Sequence, residues 1–189
     1  MTAYNSGEIS TILSNRGASG NGGSGSIFGV LGSTASNGNQ GEINFDTSNN
    51  LGTRFINSDS ALNLNQWYHV AVTFKYNGSN NNEGIIYLNG VSDSNTVSTI
   101  SDISDPTTQS TRIGYEDISP NFAFAGRLDD VRIYNTVLSA DQVYSIYNEQ
   151  NVIEKIKDKD KLIFIGDVAN INILSHIDGL TLYAETSGL

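Results

Sequence analysis

The sequence predicts an all-β fold: a two-sheet antiparallel jelly-roll sandwich carrying one short helix and a β-rich C-terminal extension. Three observations lead there. Residues 68–76 place Tyr68, Val70, Val72, Phe74 and Tyr76 at every second position, the alternation of a strand with one buried face. Short apolar runs are separated throughout by Gly, Asn, Ser and Thr, while 16% of the chain is charged and only two prolines occur. That composition suits many short strands joined by tight turns. A single clear helix start stands late in the chain, at Ser139.

The 189 residues suffice for one substantial core and a small appendage. Residues 1–150 read as the sandwich domain, and 151–189 as a linker followed by short strands. The first strand is 8–14 (Glu-Ile-Ser-Thr-Ile-Leu-Ser). Residues 17–26 are a Gly/Ser loop; with no Gly-Lys-Ser/Thr and no following helix, they do not cradle a phosphate. Three more strands follow at 26–32, 41–47 and 52–58. In the second of these, Glu42, Asn44 and Asp46 share one face, read as solvated, and Ile43 and Phe45 share the other. In the strand that follows, the face opposite Val70 begins with Trp67 and His69 and ends with Thr73 and Lys75. The strand therefore starts between two layers, and Trp67 and His69 read as structural. Residues 77–82 turn the chain, 85–88 return it, and Asn89-Gly90 is a strong tight-turn dipeptide.

Strands at 95–101 and 111–115 read as edges, and a further strand is expected at 127–135. Ser139 followed by Gln142 makes a capping box, with Leu138 and Val143 placed as a hydrophobic staple. The helix is expected at about 140–149, with Val143, Ile146 and Tyr147 on its apolar stripe. Beyond it, 152–161 is charged and linker-like, and 162–165, 171–174 and 180–184 read as strands. Three such strands are marginal alone. They need a vacant place in the sandwich or a neighbouring subunit.

The ordered set Trp67-Tyr68-His69-Val70-Ala71, Tyr87-Leu88-Asn89-Gly90, Ile113-Gly114, Phe124 to Asn135 and Leu138-Ser139 resembles a laminin G-like domain of the concanavalin A-like lectin/glucanase superfamily. The resemblance covers roughly residues 8–149. It implies two packed antiparallel sheets and a module that binds glycans or proteins, often with calcium. The family's earlier, tryptophan-bearing strand has no counterpart, so its slot is vacant or filled from elsewhere.

The formal net charge of −10 argues against nucleic acid or an anionic membrane as partner, since both need clustered Lys and Arg. No apolar run reaches the roughly 18 residues of a membrane-spanning helix, and no membrane insertion is expected. Without cysteine there is no disulfide framework or thiolate metal site. The first residues lack a basic and apolar leader. Export by another route, a trimmed leader, or release inside a particle such as a virion are the alternatives this leaves.

Catalysis on this fold uses paired carboxylates on one strand. Glu42 and Asp46, four residues apart, stand roughly 13 Å apart along a strand. Retaining or inverting glycosidases need about 5 to 9.5 Å. His69 and His176 have no nucleophile pattern beside them, and no catalytic residue is assigned.

The loop at 115–122 sets aromatic and acidic residues together: Tyr115, Glu116, Asp117, Asn121 and Phe122 are the candidate ligand-binding residues. Rim plugging by Phe122 and Phe124 is the competing reading. Asp129 and Asp130 are the candidate metal residues. Adjacent strand carboxylates point to opposite sides, so one of them at most joins a calcium site; pairing of Asp130 with Arg132 or Arg112 competes. The expected function is a non-catalytic recognition module binding glycan or surface protein, displayed on an extracellular or virion surface. The alternative is a structural assembly protein, a homo-oligomer or larger array built through residues 161–189.

Overall fold

The structure is a computed structural model that describes residues 1–4, 6–16, 25–49, 52–78, 81–94, 97–100, 110–116 and 122–157. The Gly/Ser loop over 17–24, Asp117, Asn121 and the three tail strands expected beyond residue 161 lie outside the described residues. Residues Met1–Val152 group as one packed unit and Ile153–Leu189 as another.

Nine strands and one helix are described: β1 (Ile9–Ser14), β2 (Gly25–Leu31), β3 (Glu42–Asn49), β4 (Gly52–Ala61), β5 (Val70–Lys75), β6 (Asn82–Leu88), β7 (Val91–Ser92), β8 (Val97–Ile100), β9 (Arg112–Ile113) and α1 (Ala140–Lys157). They form two antiparallel sheets. One runs β4-β3-β2-β1-β9; in the other, β5 pairs one edge of β6 while β7 and β8 pair the other edge in succession. No helix among the described residues is long and apolar enough to cross a membrane.

The alternation in the sequence builds the core. Phe28 and Val30 of β2, Ile43 and Phe45 of β3 and Ile56 of β4 point inward. Tyr68, Val70, Val72 and Phe74 meet them from the other sheet. Phe45 and Phe74 span the layers with ring centroids 6.0 Å apart, tilted at 58°, within the favoured range for aromatic pairs. Asn89 (φ 51°) and Gly90 (φ 80°) both adopt the left-handed conformation, as a type I′ turn between antiparallel strands requires.

The N-terminal residues Met1 to Tyr4 are stitched into the sandwich. Thr2 N–H donates to Ala125 O at 2.8 Å and Asn65 N–H donates to Met1 O at 2.8 Å. The Tyr4 hydroxyl donates to Leu62 O, and Met1 packs on the core. These residues, upstream of the first expected strand, bridge the chain segments around Leu62 and Ala125.

Three expectations are corrected. Residues 127–135 do not form a strand. Asp130 turns the chain with φ 48°, its N–H is taken by Asp129 Oδ1 at 3.0 Å, and its carboxylate accepts from Arg132 Nε at 2.8 Å. Local side-chain bonds of this kind compete with a ladder. Ile133 is left 70% exposed. The helix runs eight residues past the expected end at 149, to Lys157, so most of the charged linker is helical. Trp67 lies before β5 rather than between layers and is 66% exposed.

The helix start follows the capping chemistry. Ser139 N–H donates to Gln142 Oε1 at 2.8 Å, and Gln142 N–H donates to Ser139 Oγ at 3.3 Å. Val143 is buried, and Tyr147 rests on the His69 ring at 5.8 Å. His69 is half-buried, and its N–H donates to Asn89 Oδ1 at 3.1 Å.

Candidate functional site

The outer face of the five-stranded sheet is built from two cross-strand rows. Register places Ile27 of β2 beside Asp46 of β3 and Phe55 of β4. One row away it places Gly29 beside Asn44 and Asn57. The face expected to be solvated is therefore covered: Glu42 and Asn44 are buried and Asp46 is only 7% exposed.

The loop after β2 lies down on this face. Asn39 N–H donates to Glu42 Oε2 at 3.0 Å, Asn57 Nδ2 donates to Asn37 O at 2.6 Å, and Asn44 Nδ2 donates to Asn57 Oδ1 at 2.7 Å. Gly38 permits the approach, since a Cβ there would run into Asn57, Leu31 and Glu42.

Beside this loop is a cleft of about 230 Å³. Its apolar surface comes from Ile9, Ile27, Leu31, Phe55 and Phe122; Arg16, Asn37, Asn44, Asp46 and Glu8 supply most of the polar groups. A few convergent polar groups in an apolar concavity is the usual composition of a ligand site.

Arg16, two residues after the end of β1, is the central cation. Its Nη2 stands 3.3 Å from Asp46 Oδ2 and its Nη1 4.0 Å from Glu116 Oε1. Both carboxylates are buried, Glu116 being 2% exposed. Burial pushes the Asp46 carboxyl up to about 6; Arg16 opposes this and Glu116 adds to it. Burial likewise raises Glu116, Arg16 again opposing and Glu8 adding. Asp46 Oδ1 and both Glu116 oxygens are buried without a hydrogen-bond partner among the described residues. Buried acceptors are nearly always satisfied, so three unused ones in one cluster mark a place where donors are missing.

The candidate loop is divided by this geometry. Glu116 belongs to the buried cluster and Phe122 lines the cleft, whereas Phe124 packs on the core. Tyr115 is exposed, with the Arg112 guanidinium 5.8 Å from its ring centroid. No local pattern in the sequence singles out Arg16, Asn37 or Phe55. Arg16 offers no motif, and its role depends on Asp46 and Glu116, which lie far from it in the chain.

The candidate metal residues Asp129 and Asp130 both make local contacts, Asp129 Oδ1 accepting from the Asp130 N–H. Asp130 is engaged by Arg132, and Arg132 Nη1 also stands 3.9 Å from Glu149 Oε2. Among the described residues no three His, Cys, Asp or Glu side chains gather as a metal shell. A wider, shallower concavity beside α1 is lined by Arg132, Tyr134, Leu138, Ile146 and Glu149 among others.

A laminin G family model, described as the concanavalin A-like lectin/glucanases superfamily, matches residues 2–144. Among solved structures, the chain is similar to a segment of an S-layer domain-containing protein from Clostridium thermocellum. The two are 26% identical with a TM-score of 0.37, and the match covers 70% of this chain and 59% of that one. No curated protein matches the chain.

Proposed function

Because the chain belongs to the concanavalin A-like lectin/glucanases superfamily, as a laminin G-like domain, we propose that it is a non-catalytic recognition module that binds glycan in the cleft on the outer face of its five-stranded sheet. One observation carries the reading. Unpartnered carboxylate oxygens of Asp46 and Glu116 are buried beside a cleft flanked by Phe55 and Phe122. Sugar hydroxyls supply the donors those oxygens lack, and the apolar face of a pyranose suits an aromatic wall.

The same geometry argues against hydrolysis. Glycosidase carboxylates flank the scissile bond from two sides, whereas Asp46 and Glu116 share one guanidinium. The cation stands where the bond would have to lie. The reading implies display on an extracellular or virion surface, where glycans are met.

Isothermal titration of the full chain against a panel of soluble oligosaccharides tests this. Saturable binding is expected, weakened about ten-fold or more by Phe122→Ala, with no release of reducing ends. Binding indifferent to Phe122, or turnover of the bound sugar, overturns it.

A second reading, an assembly protein, is favoured by the exposed Val131, Ile133 and Val137, and would use residues 161–189 as its joining element. Light scattering that finds only monomers at all concentrations removes it.

A further inference from the structure

We propose that the cleft selects a glycan unit carrying a free amino group, a de-acetylated hexosamine, and rejects acidic sugars. This rests on the glycan reading above and names the substrate class of the same site.

The argument is one of charge and donor count. Two buried carboxylates, Asp46 and Glu116, face one guanidinium, Arg16, and the exposed Glu8 lines the same cleft and adds its charge to that of Glu116. Arg16 faces one oxygen of each of its two acids, leaving Asp46 Oδ1 and Glu116 Oε2 turned away from it without donors. Asp46 is more than nine-tenths buried and lines the cleft. A hydroxyl donates one proton. An ammonium donates three and brings the positive charge that such a cluster lacks. Acetylation removes both the charge and two of the donors, and puts a methyl group where the carboxylates need a cation.

An acidic sugar would fare worse. Its carboxylate would meet Asp46 and Glu8 on the cleft wall, with Arg16 already engaged by Asp46 and Glu116, and like charges beside a buried carboxylate repel. The formal net charge of −10 works in the same sense, attracting polycationic chains and repelling polyanionic ones before contact. Phe55 and Phe122 on the cleft wall give an ammonium-bearing ring an aromatic neighbour as well.

The test is calorimetric titration of the full chain at about pH 6.5, where Asp46 is largely ionised and a sugar amine is largely protonated. Three probes are used: glucosamine oligosaccharides, their N-acetylated counterparts of equal length, and oligogalacturonates. The glucosamine series is expected to bind about ten-fold or more tighter than the N-acetylated series, with no binding of oligogalacturonate. The near-isosteric Asp46→Asn and Glu116→Gln variants, checked for a native circular dichroism spectrum, should lose the preference, so that the glucosamine series binds no tighter than the N-acetylated series.

Equal affinity for the amino and N-acetyl series overturns the amine selectivity and leaves the glycan reading standing. So does a preference that survives in both variants, or tight binding of the uronate. Failure of every sugar in the panel overturns both. Raising the salt about ten-fold separates selective binding from loose charge attraction: the preference persists if the amine is seated in the cleft and collapses if only the surface charge attracts it.

Discussion

Asp46 holds its proton unusually high because the fold removes it from water without giving both of its oxygens partners. An unfolded aspartate deprotonates near 4, and the folded group does so at about 6. Between those values the folded state binds more protons than the unfolded one, so this residue's contribution to stability is lost as pH rises through that window. A shift of that size is worth at most about 3 kcal/mol. Glu116, raised by the same burial, acts with the same sign. His69 acts oppositely: burial, then Arg132, lowers its pKa, so its share is lost as pH falls below about 6.5. Asp46→Asn is therefore expected to gain on the native protein by about 2–3 kcal/mol between pH ~4 and pH ~7. Urea unfolding at several pH values measures this, and a constant offset would mean that Asp46 titrates as if solvated.

Elements were legible where local chemistry and burial agree. The alternation at 68–76 gave β5 its inward face, and Ser139 with Gln142 marked the start of α1 because both halves of the reciprocal bond lie within three residues. Ser139→Ala should cost about 1 kcal/mol and loosen the first turn of α1, visible as faster amide exchange there with the sandwich unchanged. At Gly90, alanine faces a positive φ and a clash with Tyr147. We expect a loss of about 1–3 kcal/mol, read as a lower chemical-denaturation midpoint. Asn89→Gly, which only relaxes the turn, should cost much less. Residues 127–135 misled because their apolar alternation is strand-like, while the Asp129-Asp130 pair supplies the side-chain acceptors that bend the chain. Nothing in the local pattern says which of the two wins.

At the scale of the molecule, the class and the inward residues follow from period-two patterning, since that pattern is the core itself. The site did not follow from it. Asp46 and Glu116 are 70 positions apart, and what joins them is Arg16 from a third segment. Spacing along one strand pairs Asp46 with Glu42, whose carboxylate is occupied by Asn39. Nor could alternation reveal that the loop around Gly38 covers the outer face. The two sheets should also differ in protection. β2 and β3 are paired on both sides, whereas β5 pairs only with β6 among the described residues. Alternate amides of Val70–Lys75 therefore point away from any ladder partner. Hydrogen exchange should show every second β5 amide fast and the interior of β2 and β3 slow throughout. Uniform protection along β5 would mean that its outer edge is paired in solution.

The seat of α1 has a mechanical consequence. Val143 is buried and Tyr147 lies over both His69 and the Gly90 turn, while the helix continues to Lys157. Tension applied through the end of that helix reaches the sandwich at the β6–β7 turn, far along the chain from Arg16. Under load, the helix and its tyrosine latch would peel first and act as a fuse. The outer face of the five-stranded sheet would take up the load only after the latch had given way.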